Sequence, residues 1–280
     1  MPGSGVEKVV PGQVGYPARL LQLRRPPPEL WFRGHLPPPG KAAAAIVGSR
    51  KASGAGCDRA HQLAASLGRR GWSVVSGGAF GIDAAAHLGA LDAGAETYAV
   101  LGCGVDVVYP DRHGALFARI ARQGGLISQF APGTAPRMNH FPQRNEVVAA
   151  LADAVIVVEA AYRSGALITA AAARKRGQRL LAVPGTPGTD ALLARGAMPV
   201  TSPDTLDDAL AGRATAVAPP VPARFASLLE ALEAGPATAP MLARRLGLSL
   251  PATMGLLLEA ELEGWVRRAG DSHYEVSRVH

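Results

Sequence analysis

Six short apolar runs, three of them closed directly by glycine, constrain this chain more than any other feature. They are Ala43–Val47, Ser73–Ser76, Thr97–Leu101, Leu126–Phe130, Ala154–Val158 and Arg179–Val183. Between them lie helix-length stretches, among them Ser53–Arg70, Ile82–Ala93, His113–Gln123 and Gly165–Arg176. Runs that are apolar throughout, rather than alternating, fit strands buried on both faces, and strands alternating with helices fit a parallel sheet. The pattern predicts an α/β protein: an extended Rossmann-like, doubly wound parallel sheet over residues 42–211. In such sheets ligands bind in the crevice beyond the strand C-terminal ends. The runs end there in Gly48-Ser49-Arg50, Gly77-Gly78 and Gly102-Cys103-Gly104.

The flanks read differently. Residues 1–41 are rich in Pro and Arg and are expected to form an arm, with a short helix or two, packed on the Rossmann domain. Residues 212–223 carry Pro219, Pro220 and Pro222 and read as a linker of moderate stiffness. Beyond it, Phe225–Ala234, Ala239–Leu246 and Leu250–Leu262 have helical patterns, and Trp265–Arg268 with His273–Val276 reads as a hairpin. Three helices and a hairpin predict a small C-terminal winged-helix domain over 224–280.

Charge narrows the partners. The formal net charge is +7. Residues 224–280 hold six Arg against seven acids, so the remaining 23 basic and 15 acidic residues give 1–223 a net of +8. A polyanion is therefore expected on the large domain. Cys57 and Cys103 are isolated, with no ligand spacing around them, so neither a metal nor a disulfide framework is expected. The longest apolar run, Val147–Ala161, is interrupted by Asp153 and Glu159, and no signal peptide is evident. The expectation is a cytoplasmic protein with no membrane contact and no cofactor.

Three clusters could carry binding. Gly48-Ser49-Arg50 lies between a strand and a helix capped by Ser53, which is either a phosphate site built from amides, helix dipole and guanidinium or a tight turn with a solvated Arg. Ser76-Gly77-Gly78-Ala79-Phe80-Gly81-Ile82-Asp83 is a second such turn, and His87, one helical turn after Asp83, can meet it as a structural pair. Arg137, Asn139 and His140 precede Phe141-Pro142-Gln143-Arg144-Asn145: either cations beside an aromatic, as a nucleic-acid groove needs, or simply a Pro-initiated helix. Ser164-Gly165 opens a further helix at the same sheet edge, near Thr169. Neither a Walker A loop nor a G-x-G-x-x-G fingerprint after the first strand is present, and spacing supports no Ser–His–Asp or Cys–His set.

Taken in order, Ala45-Ile-Val-Gly-Ser-Arg50, Ser76–Asp83 with His87, Val100-Leu-Gly-Cys-Gly104 followed by Tyr109-Pro110, Phe141-Pro-Gln-Arg-Asn145, Val157-Val-Glu-Ala160 followed by Ser164-Gly165, and Ala182-Val-Pro-Gly185 resemble the DNA-processing protein A (DprA/Smf) family over roughly residues 15–200. The resemblance implies a non-enzymatic, homodimeric protein that binds single-stranded DNA and loads a RecA-type recombinase during natural transformation. It implies a DNA site containing Gly48, Ser49, Arg50, Gly77, Gly78, Arg137, Asn139, Phe141, Arg144, Asn145, Ser164 and Gly165. The helix around Leu192 and Leu193 is the expected dimer face. Departures are Met138 where the family often has Lys, Glu146 where it usually has Arg, Gln129 for Glu, and Asp190 for Asn. The helical domain that precedes the sheet in some members is expected to be missing from residues 1–41. The expected recognition helix, Leu250–Leu262, holds Glu259 and Glu261 and no basic residue, so the winged helix is read as a packing or protein-interaction module rather than a duplex reader. The competing reading is a nucleotide hydrolase similar to the phosphoribohydrolases. Their Pro-Gly-Gly-x-Gly-Thr loop is only superficially like Pro184-Gly-Thr-Pro-Gly-Thr189, and Asp190 follows here in place of their catalytic Glu.

Overall fold

The computed structural model describes residues 5–213, 222–263, 265–270 and 272–277. The chain divides into two compact units, Met1–Asp190 with Ala197–Ala216 and Ala191–Gly196 with Val217–His280.

A sheet of nine strands spans the large unit: β1 (Glu7–Val9), β2 (Leu30–Gly34), β3 (Ala43–Val47), β4 (Ser73–Ser76), β5 (Thr97–Val100), β6 (Gly125–Ser128), β7 (Ala154–Val157), β8 (Arg179–Ala182) and β9 (Met198–Pro199). Their order is β1-β2-β6-β5-β4-β3-β7-β8-β9. From β6 to β9 every pairing is parallel, with register Ala44↔Ala154 and Ile46↔Ile156 at the centre. The chain winds outward from β3 to β6, then returns to the other side of β3 with β7. The Rossmann-like expectation is met, and the topological switch point lies between β3 and β7.

The helices are α1 (Gly54–Arg69), α2 (Ile82–Asp92), α3 (Gly114–Gln123), α4 (His140–Ala150), α5 (Ala166–Lys175), α6 (Pro187–Leu193) and α7 (Leu206–Ala211). Ser53 caps α1 as the sequence predicts, its Oγ accepting the Gly56 N–H at 3.0 Å, a contact worth about 1 kcal/mol. With few aromatics, the core is built from small and branched residues. Ile46, Leu63, Leu67, Val74, Ile82, Ile156 and Leu181 are buried together in one cluster, and Leu101, Phe117, Ile120 and Leu126 in another. Burying each of the larger side chains contributes roughly 1.5–3 kcal/mol. Helices this poor in bulk approach closely: a Cβ on Gly89 would stand 2.2 Å from the His61 carbonyl oxygen, so α2 packs on α1 only with glycine there.

The N-terminal stretch departs from expectation. It supplies β1 and β2, which extend the sheet antiparallel beyond β6, with Phe32 opposite Ile127, so the sheet is mixed rather than wholly parallel. Leu20 and Leu30 are buried, and the Tyr16 hydroxyl donates to the Pro27 carbonyl at 2.9 Å, closing the loop between them.

The small unit contains α8 (Ala223–Glu233), β10 (Ala237–Thr238), α9 (Ala239–Leu246), α10 (Leu250–Leu262), β11 (Val266–Arg268) and β12 (His273–Val276). Its sheet has the order β10-β12-β11, and Phe225, Leu228, Leu232, Leu242, Leu257 and Val266 form its own core. The helices and hairpin fall where the sequence places them. Most of the expected linker lies outside the described residues. Of the expected dimer face, Leu193 is 4% exposed and Leu192 is half-buried.

Candidate nucleic-acid interface

The strand ends of β3, β4 and β5 and the start of α4 enclose two cavities of about 300 Å³ each, both lined by Arg50, Gly77, Ala79, Phe141 and Arg144. Gly78, Phe80, Gly102, Tyr109 and Arg112 line the first, and Gly48, Asn145, Ser164, Gly165 and Thr169 line the second. Nine of the twelve expected residues thus converge. Ser49, Arg137 and Asn139 do not line either cavity. Arg137 and Asn139 are exposed in the loop that leads into α4, while the Ser49 N–H donates to the Glu159 carbonyl and its Oγ accepts from the Lys51 N–H.

Phe141 sits at the meeting point. The Arg50 guanidinium lies over its ring, 4.8 Å from the centroid, and Tyr109 leans against it at 5.9 Å. Arg50 is exposed, and no ion pair is recorded for it among the described residues. An unneutralised cation stacked on an aromatic offers charge to a phosphate and a flat face to a base.

Arg144 plays a different part from the one expected. It is 5% exposed, and its Nη1 donates to the carbonyls of Gly77 and Val100, the latter at 2.6 Å. Its Nε donates to Asn145 Oδ1 at 3.1 Å, and Asn145 Nδ2 donates to the Gly165 carbonyl at 3.1 Å. The pair therefore joins β4, β5, α4 and the loop before α5 beneath the cavities. Burial pulls the guanidinium below its ordinary pKa, with Asp83 opposing.

The Gly77 turn is also partly committed. Asp83 accepts the N–H groups of Gly77 at 3.1 Å and Ala79 at 3.3 Å, so the Gly77 amide is not available to a phosphate. Burial pushes the Asp83 carboxyl up, while Arg144 and those amides hold it down. The expected Asp83–His87 contact does not form. With Asp83 turned towards the loop, His87 Nδ1 pairs with Thr97 Oγ1 at 2.8 Å, and burial drives its pKa down to about 3.

Tyr109, Arg112 and Phe80 line the site without having been picked out for it. Their signal was present: Tyr109-Pro110 and Arg112 follow the glycine turn that ends β5, and Phe80 lies inside the Gly77–Gly81 turn.

Burial raises both thiols, that of Cys103 to about 11. Glu159 receives the Ser53 N–H and hydroxyl at 3.0 and 2.8 Å, and Asp190 receives the Gly185 N–H at 2.8 Å, so each carboxylate holds its own loop. Among the described residues no group of His, Cys, Asp and Glu is placed to hold a metal, and no helix is long and apolar enough to cross a membrane.

Fold and site together define a Rossmann-like α/β binding protein, with a basic, aromatic pocket at the strand ends and an appended winged helix. The family model described as DNA recombination-mediator protein A matches residues 7–211, and that of the DprA winged helix domain matches residues 212–272. The chain belongs to the DprA/Smf family of DNA-recombination mediators. A putative DNA processing protein DprA of Mycobacterium tuberculosis is 45% identical over 200 residues, covering 69% of this chain and 51% of that one. Protein Smf of Escherichia coli is 33% identical over 283 residues, covering 94% and 76%. The chain thus spans about half the length of the mycobacterial relative. The crystal structure of DprA from Streptococcus pneumoniae superposes with a TM-score of 0.69 at 35% identity, over 73% of this chain and 75% of that one. DprA from Helicobacter pylori, whose structure concerns its single-stranded-DNA binding mode, gives 0.66 at 26%, over 75% and 97%.

Proposed function

We propose that this protein binds single-stranded DNA in the pocket around Arg50 and Phe141 and passes the strand to a RecA-type recombinase during natural transformation, acting as a cytoplasmic homodimer. The observation that carries the DNA reading is the Arg50 guanidinium 4.8 Å above the Phe141 ring in an open cavity at the sheet's C-terminal edge. Arg50 holds a phosphate, Phe141 stacks a base, and the exposed Arg137 and Asn139 meet the strand outside the cavities. Arg144 and Asn145 set the pocket's shape from below, and the Gly48, Gly78 and Ser164-Gly165 backbone lets the strand come close. The single-stranded-DNA binding mode of the H. pylori relative supports the reading. Two copies would place two pockets on one strand, multiplying a modest single-site affinity. The winged helix contributes packing or protein contacts rather than duplex recognition.

A salt-titrated gel shift comparing single-stranded with duplex DNA tests the proposal. Arg50→Ala should weaken single-strand binding about tenfold or more, the cost of one charge-assisted phosphate contact, while thermal melting stays unchanged. Unchanged affinity would remove Arg50 from the site. Recombinase transfer is tested separately, by whether the protein accelerates filament formation on single strands.

A further inference from the structure

The Phe141 pocket is only mildly basic. Arg50, Arg112 and Arg144 line its two cavities against Asp83 and Asp111. Further along α4 a larger groove opens, about 840 Å³, whose charged lining is Arg24, Arg25, Lys175 and Arg176 against Glu146 alone. Four cations against one acid give it a net charge of +3.

Two features fit this groove to a polyanion: cations gathered in one place without acids beside them, and continuity with the pocket. Some surface cations of the large unit are neutralised: Lys8 pairs with Glu29, Arg19 with Asp153, Lys41 with Glu96, Arg70 with Asp207 and Arg119 with Asp92. Among the described residues, no ion pair or hydrogen bond is recorded for the side chains of Arg24, Arg25 or Lys175, all of which are exposed. Arg176, by contrast, is partly buried and donates to Gln22 Oε1 at 3.3 Å, tying the segment that carries Arg24 and Arg25 to the end of α5. The groove's two walls are therefore fastened together while its free charges point at solvent. The second feature is continuity. Pro142 and Ile168 line both the groove and the second Phe141 cavity, and Ile168 is 41% exposed on the ridge between them.

We infer that a strand held at Phe141 continues over the Pro142–Ile168 ridge into this groove, where Arg24, Arg25 and Lys175 bind successive phosphates. The ridge gives bases or sugars an apolar surface, and the groove gives the backbone its charge. The inference rests on the pocket being the single-strand site, and it assigns the extended backbone contacts to the N-terminal segment and α5 rather than to the glycine turns.

The test uses the full chain with Arg24→Gln, Arg25→Gln and Lys175→Gln combined, all at exposed positions, with thermal melting as the control for folding. Binding of oligothymidylates of about 5 and about 20 nucleotides, bracketing site sizes usual for single-strand grooves, is followed as salt is raised. The 5-mer should bind as it does to wild type. For the 20-mer the slope of log K against log salt should become shallower by about 2, three phosphates at about 0.7 each. An unchanged 20-mer slope would overturn the groove assignment. So would an equal loss on both lengths, which would mean the cations act only through the protein's general field. Arg50→Ala in parallel separates the two readings: if it has no effect on the 5-mer the pocket fails, whereas a lost 5-mer with an unchanged triple variant leaves the pocket standing and refutes only the groove.

Discussion

Phe141 offers the sharpest test of how the pocket holds a strand. One ring stacks one base, and part of its face is already covered by Arg50 at 4.8 Å. The expected contribution is therefore a single base's worth, about 1–3 kcal/mol, or roughly 5- to 150-fold in affinity. Phe141→Leu keeps apolar bulk against Gly102 and Tyr109 while removing the π surface. It also removes the cation–π contact with Arg50, worth about 0.5–1 kcal/mol at an exposed site, so a single variant cannot isolate stacking. A cycle can: wild type and Phe141→Leu, each measured by fluorescence anisotropy with an intact short oligonucleotide and with one carrying abasic sites. Losses unrelated to the base appear in both halves and cancel. Wild type should lose about 1–3 kcal/mol on abasic DNA, and Phe141→Leu should be nearly indifferent to the missing bases. Strict additivity, with the leucine variant losing as much as wild type, would refute stacking at this position.

Three further outcomes follow from the same geometry. His87, neutral when folded with a pKa driven to about 3, binds its proton more readily once unfolded, so acid destabilises the fold between about pH 6.5 and 3. Chemical denaturation should find wild type losing about 2 kcal/mol more than His87→Leu between pH 7.5 and 5, and equal losses would show that the histidine is not buried neutral. Arg144→Met removes the donor to two buried carbonyls and should cost about 2–5 kcal/mol of stability, whereas Arg50→Ala should cost under about 0.5; equal melting temperatures for the two variants would refute the buried role of Arg144. The winged helix exposes Leu250, Met254, Leu258 and Leu262 along α10, so residues 222–280 alone should leave duplex DNA unshifted in a gel at micromolar concentration, and a clear shift would make α10 a reader after all.

Much of the fold was legible because glycine turns and unbroken apolar runs report local geometry. Ala43–Val47 and Ser73–Ser76 became strands with the boundaries read from sequence, and the other four runs lost only one residue from an end or moved by one or two. The edge strands β1 and β2 were not legible. Glu7–Val9 has no apolar run and Leu30–Gly34 sits behind three prolines; β2 is a strand because β6 offers an unpaired edge, and β1 because β2 then offers the next one. At Phe141 the sequence left two readings, a Pro-initiated helix or a groove. The helix is present, and its first turns carry Phe141 into the cavity and Arg144 beneath it.

The residue that sequence reasoning placed least well is the one that best explains the architecture of the site. Whether an arginine near a binding loop faces solvent or protein depends on which acceptors surround it, and those of Arg144 lie 67 and 44 residues earlier in the chain, at the ends of two other strands. Nothing local encodes that meeting. Its consequence is a division of labour between two cations that look alike in sequence. A guanidinium committed to carbonyls is costly to move and cannot follow a phosphate, but it fixes the ends of β4 and β5 that line the cavities beside Arg50. An exposed guanidinium with no partner costs little to reposition and can follow a flexible strand. Loss of binding on its own would score the two residues the same. Stability separates them, because only the buried cation leaves unpaired backbone groups behind when it is removed.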